Sequence, residues 1–167
     1  MLYIVLAVLM IVLDQAVKYW AFTSLQVQQT IPLIENVFHL TYVENRGAAF
    51  SMFAQFDSRW IFVALAVIIS IAIGVALYKG WMQNALGRWS LVLVGAGAIG
   101  NAIDRVIRGF VVDLFDFRLI HFPVFNVADV FICVGAVLFV IYFLFQHKDE
   151  KPADDSKQEP SERDRHE

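Results

Sequence analysis

Cysteine, histidine and charged residues are all scarce in this 167-residue chain. A single cysteine, Cys133, excludes an internal disulfide framework and any cysteine-based zinc site, and its place in an apolar run predicts a small, buried, inert side chain. His39 and His121 fall in connecting segments, and His147 follows the last apolar run. No histidine therefore lies within a long apolar stretch to ligate haem, and no His-x-x-x-His pair suggests zinc, so no metal or other cofactor is expected. Ser51 and Ser90 lack a neighbouring histidine or lysine placed as a base, which leaves serine chemistry a weak option. The 13 basic residues are scattered and the net charge is -3, so no patch can track a phosphate backbone and nucleic acid is excluded as a partner. No internal repeat is evident.

Apolar side chains are what the chain has in abundance. They make up 59% of it, against about 45–50% in soluble domains, and the mean hydropathy is +0.61. Four stretches, near residues 2–21, 60–78, 89–107 and 128–145, approach the roughly 20 apolar residues that a helix needs to cross a bilayer. Tyr19, Trp20, Trp60, Tyr78, Trp81 and Trp89 lie near their ends, as a headgroup belt requires. The first stretch has neither a basic leader nor a small-residue cleavage site, and reads as a retained helix. The expected fold is an all-α membrane protein, with four transmembrane helices in one domain spanning residues 1–146.

The connections differ in character. Residues 22–59 are too many for a turn, and Val37 to Val43 is rich in β-formers, which predicts a small sheet at the membrane surface. Residues 79–88 form a short link, while 108–127 carry Val111-Val112-Asp113 and Pro123 and read as extended. The tail, residues 147–167, is charged and nearly devoid of apolar groups, so a disordered cytoplasmic segment is expected. Basic residues are almost balanced between the two sides. Lys79, Arg88, Lys148, Lys151 and Lys157 share one, and Lys18, Arg46, Arg59, Arg105, Arg108 and Arg118 the other. Because several of the second group stand beside polar motifs, both termini are assigned to the cytoplasm.

Four crossings bring the end of the first helix, the end of the third, the start of the fourth and both long connections to one face. The unusual polar residues lie there: Asp14, Lys18, Asn45, Arg46, Asn101, Asp104, Arg105, Asp113, Asn126 and Asp129. Ionisable groups in spans are costly and usually functional, so one polar site at the outer face is expected. Asp14 and Lys18 share a helix face, either as an ion pair with Lys18 snorkelling outward or as a substrate contact. Asn101, Asp104 and Arg105 share another, as a brace or as a brace that also orients carboxylates. Gly95-Ala96-Gly97-Ala98-Ile99-Gly100 imitates a dinucleotide fingerprint, but inside an apolar span it reads as close helix packing. Asn126 and Asp129 have the spacing of a helix cap, and Asp113 alone could be a solvated loop acid. Together, Asp113 and Asp129 are two carboxylates at a partly desolvated surface, the arrangement in which one keeps its proton while the other acts as base.

Five ordered blocks carry a resemblance. Asp14 with Lys18, Asn45-Arg46-Gly47-Ala48-Ala49-Phe50, Gly100-Asn101-Ala102-Ile103-Asp104-Arg105, Val111-Val112-Asp113 and Phe125-Asn126-Val127-Ala128-Asp129 are similar to the motifs of lipoprotein signal peptidases, over residues 1–146. The resemblance implies a bacterial inner-membrane aspartic endopeptidase that cuts diacylglyceryl-modified prolipoproteins before the lipidated cysteine. It makes Asp113 and Asp129 the catalytic pair, surrounds them with Asn45, Asn101, Asp104, Arg105 and Asn126, and gives Asp14 a supporting place. It also implies an extracytoplasmic β-rich cradle in the first loop, contact with membrane lipid, susceptibility to globomycin-like inhibitors and a monomer. Gly95-Ala96-Gly97-Ala98 departs from the doubled glycine frequent in the family, and the charged tail lies outside its core. A small transporter or proton channel would also place Asp14, Asp104 and Asp129 in spans, and a scaffold would use them only to lock helices.

Overall fold

In a computed structural model of the chain, residues 1–47 and 58–146 are described. Ala48, Ala49 and Phe50 of the second motif block, and the charged tail from His147 onward, lie outside the described residues.

Among the described residues, four helices are long and apolar enough to cross a membrane. Helix α1 is Leu2–Trp20, and it continues through a π-helical turn, Ala21–Leu25, and Gln26–Gln28 as one 27-residue helical stretch. Helix α2 is Arg59–Tyr78, α3 is Ala85–Ile107 and α4 is Val127–Gln146. The third starts four residues before the expected position 89 because Asn84 caps it, its side-chain oxygen accepting from the Gly87 N–H at 3.0 Å.

The chain is mostly helical, with a small three-stranded sheet beside the helices. Strands β1 (Thr30–Ile34), β2 (Phe38–Asn45) and β3 (Val111–Phe117) form an antiparallel sheet in that order. The expected sheet in the first loop exists, but its third strand comes from the segment between α3 and α4, so it ties together both long connections at one end of the bundle. One face of it packs on the extension of α1, where Ala21, Leu25, Tyr42, Val112 and Leu114 form a buried core. Full burial of a side chain such as Leu25 or Leu114 stabilises this junction by at most about 3 kcal/mol. The register shifts between Leu40 and Val43, a bulge that lets Tyr42 join that core while Val43 pairs with Asp113. Beyond β3, Phe125 returns to pair with Phe115, their backbones exchanging bonds of 2.8 and 3.1 Å, and rings of Phe38, Phe115, Phe117 and Phe122 surround this return. Position 126, the start of α4, is thereby anchored to the sheet.

Helix α3 is the most buried of the four and contacts all the others. Its glycines make this possible. A Cβ on Gly97 would collide with the Ala128 carbonyl and lie 2.7 Å from Ile132 Cγ1, and one on Gly100 would lie 2.6 Å from Asp14 Oδ2. The glycine-rich run is thus a packing surface, as its setting in an apolar span predicts. Cys133, by contrast, is exposed on the outer surface of α4 instead of buried, because the face of that helix that meets α3 is occupied by Gly135 and Ala128.

Gly97→Ala should lower stability by roughly 1–3 kcal/mol through overpacking, read as a fall in the thermal unfolding midpoint in detergent. Gly74→Ala, where a Cβ meets nothing within 4 Å, should leave it unchanged or slightly raised.

Candidate active site

A helix begins with backbone N–H groups that have no partner in the helix. At α4 these are met by side chains. Asn126 Oδ1 accepts from the Asp129 N–H at 3.0 Å, and Asp129 Oδ2 accepts in return from the Asn126 N–H at 3.1 Å, a reciprocal cap. Asp14 Oδ1 reaches across from α1 to accept from the Ala128 N–H at 2.9 Å. The spacing of Asn126 and Asp129 suggests the cap; nothing in the sequence reveals the contribution of Asp14.

The atoms left over by the cap build the rest of the site. Asn126 Nδ2 donates to Asp113 Oδ1 at 2.6 Å and to Asn101 Oδ1 at 3.2 Å. Asn101 Nδ2 donates to Asp129 Oδ1 at 2.8 Å. The other oxygen of Asp113 accepts from Asn45 Nδ2 at 2.9 Å, and Asn45 is itself held by the Gly47 N–H. Asp113 and Asp129 are therefore linked through one asparagine, each with both oxygens hydrogen-bonded. Burial first, and then the negative charge of Asp129, push the Asp113 carboxyl up to about 7 against the opposing pull of Asn45, Asn126 and Lys18.

Beneath the carboxylates lies a sealed ionic cluster. Lys18 is fully buried, with Nζ 3.0 Å from Asp14 Oδ2 and 3.4 Å from Asp104 Oδ2, and it donates to Asn101 Oδ1 at 2.8 Å. It points inward, contrary to the snorkelling expectation, because three acceptors from α1 and α3 surround it. Asp104 pairs with Lys18 and with Arg108, and also accepts from the Val112 N–H at 3.1 Å, fastening the start of β3 to α3. Arg105 turns elsewhere, donating to the Asn101 and Gly47 carbonyls at 3.3 and 2.9 Å with its guanidinium 4.8 Å from the Phe62 ring centre. Asp104 and Arg105 are therefore parts of separate contacts.

Of the ten polar residues gathered at this face by the sequence, Asp14, Lys18, Asn45, Asn101, Asp104, Arg105, Asp113, Asn126 and Asp129 join this connected set, whereas Arg46 turns outward to pair with Glu44 at 3.2 Å. Two further members escaped it. Arg108 lies four residues after Asp104, a spacing that could have shown the pair, whereas Gln15, which donates to Asp14 Oδ2 and the Gly100 carbonyl at 3.1 Å each, leaves no signal.

The chain matches the family model described as signal peptidase (SPase) II over residues 6–145. It is 49% identical to the lipoprotein signal peptidase of Clostridioides difficile strain 630, covering 87% of this chain and 96% of that protein. It is 40% identical to the lipoprotein signal peptidase of Yersinia enterocolitica, covering 89% of each. A bacterial membrane enzyme solved by the in meso method at 2.3 Å superposes with a TM-score of 0.81 at 30% identity, covering 91% of this chain and 93% of the other. A multi-pass membrane chain with this polar centre and these relatives belongs to the signal peptidase II family of proteases.

Proposed function

We propose that the chain removes signal peptides from diacylglyceryl-modified prolipoproteins, cutting immediately before the lipidated cysteine by aspartate-activated water. The observation that carries this reading is the junction at Asn126, which joins two carboxylates from different elements, one of them buried and protonated up to about pH 7. With Asp113 holding a proton and Asp129 acting as base, Asp129 draws a proton from water as the water attacks the scissile carbonyl. Asp113 polarises that carbonyl and then protonates the departing amine. Asn45, Asn101 and Asn126 hold the pair in register, Arg105 and Gly47 bring the second motif block to it, and Asp14 and Asp104 support it from below.

The same reading sets the protein in the bacterial cytoplasmic (inner) membrane as a monomer, with both termini cytoplasmic and the sheet and site at the outer face. Residues 1–146 form the peptidase unit and 147–167 a cytoplasmic tail. The substrate's acyl chains stay in lipid while its extended peptide lies against the sheet, so that lipid binding energy positions the bond. Globomycin-like inhibitors would occupy this same centre.

With a purified diacylglyceryl-modified prolipoprotein, wild type should cut before the modified cysteine. Asp113→Asn and Asp129→Asn at matched folded protein should each lose roughly a hundred- to ten-thousandfold in kcat. Full activity in either variant would remove that aspartate from the mechanism. The acid role of Asp113 also sets a sign for pH dependence. Cleavage should decline as pH rises through about 7, where Asp113 gives up its proton, and kcat/KM that stays flat well above that value would contradict the assignment.

A further inference from the structure

The buried cluster of Asp14, Lys18 and Asp104 is not consumed by the chemistry above, and a brace alone does not account for its geometry. An ammonium has three N–H donors. Two suffice to join Asp14 and Asp104; the third goes to Asn101 Oδ1, at the shortest of the three distances, 2.8 Å.

That contact decides how Asn101 presents its amide. The oxygen and nitrogen ends of an amide have nearly the same shape, so packing cannot choose between its two orientations, and polar neighbours must. As it stands, Oδ1 accepts from Lys18 Nζ and Asn126 Nδ2, and Nδ2 donates to Asp129 Oδ1 at 2.8 Å. Reversed, the NH2 would face a fully buried ammonium and the oxygen a carboxylate, two repulsions at partly buried groups.

We propose that Lys18 is a positioning residue for hydrolysis: its ammonium locks the amide of Asn101 so that Asn101 delivers an N–H to Asp129, and its buried charge acts on Asp113. The proposal rests on the reading of Asp113 and Asp129 as the reacting pair. The groups around this arrangement are Asp14 and Gln15 from α1, Asn101, Asp104, Arg105 and Arg108 from α3, Asn45 from β2, Asp113 from β3, and Asn126 and Asp129 at the start of α4. Lys18 opposes the upward displacement of Asp113, so loss of its charge moves Asp113 further up.

Lys18→Met alone would strand two buried carboxylates and endanger folding. The double variant Lys18→Met/Asp14→Asn removes one charge of each sign, and Asn at position 14 retains an oxygen for the Ala128 N–H. Folding is read by thermal unfolding, kcat and KM by prolipoprotein cleavage, and the Asp113 carboxyl by carbon-13 NMR against pH without substrate. Measured against Asp14→Asn alone, from which it differs only in the Lys18 charge, the folded double variant should lose about a hundredfold in kcat with KM unchanged, and its Asp113 midpoint should lie higher. An undiminished kcat in the folded double variant would overturn the proposal. So would a loss of kcat with an unmoved Asp113 midpoint, or failure of this charge-balanced variant to fold, either of which would make Lys18 a brace only. Failure of wild type to cleave would instead strike at the protease reading, and the NMR arm would still decide whether Lys18 acts on Asp113.

Discussion

The reciprocal cap at the start of α4 is the interaction on which the remainder of the site depends. A helix needs its first N–H groups satisfied, and here Asn126 and Asp129 do so for each other. Each has polar atoms to spare. Those atoms reach Asp113 and Asn101, so the requirement that starts a membrane helix also sets the spacing of two carboxylates. Because Phe125 is paired to Phe115 in β3, the cap cannot shift along the bundle axis without breaking the sheet.

Helix α3 supplies the complementary constraint. Its small residues let α1 and α4 approach closely enough for Asp14 to pass Gly100 and reach the Ala128 N–H. In a membrane, where close packing and hydrogen bonding between helices replace the hydrophobic drive, such contacts hold the bundle together. The charges beneath the site are tolerated for the same reason: each carboxylate and the ammonium is surrounded by partners, whereas removing one would leave another buried and bare.

Much of this was legible in the sequence. The four spans are written in hydropathy, and parity alone gathers Asp14, Asn101, Asp113 and Asp129 at one end. The cap at Asn126 is local and follows from its spacing to Asp129, whereas the apolar run marks the start of α3 four residues late, because Gly87 and Arg88 interrupt it and the cap at Asn84 lies beyond them. The pairing of β3 with β2 brings the side chain of Asn45 to Asp113, 68 residues away, and no local pattern encodes such a contact. The inward turn of Lys18 was hidden similarly: on an isolated helix, snorkelling is the cheaper course, and only the acceptors of α3 reverse it. Cys133 shows the converse, since an apolar residue in a membrane span need not be buried in protein.

The central claim is that the cap of α4 and the hydrolytic centre are one arrangement serving two purposes, and Asn126→Ser separates them. Serine caps helices about as well as asparagine, so its hydroxyl can accept from the Asp129 N–H, but it has no amide to donate to Asp113 and Asn101. The measurement is prolipoprotein cleavage by this variant beside its thermal unfolding midpoint in detergent. The account expects a midpoint close to wild type with kcat reduced about a hundredfold; wild-type cleavage would contradict it.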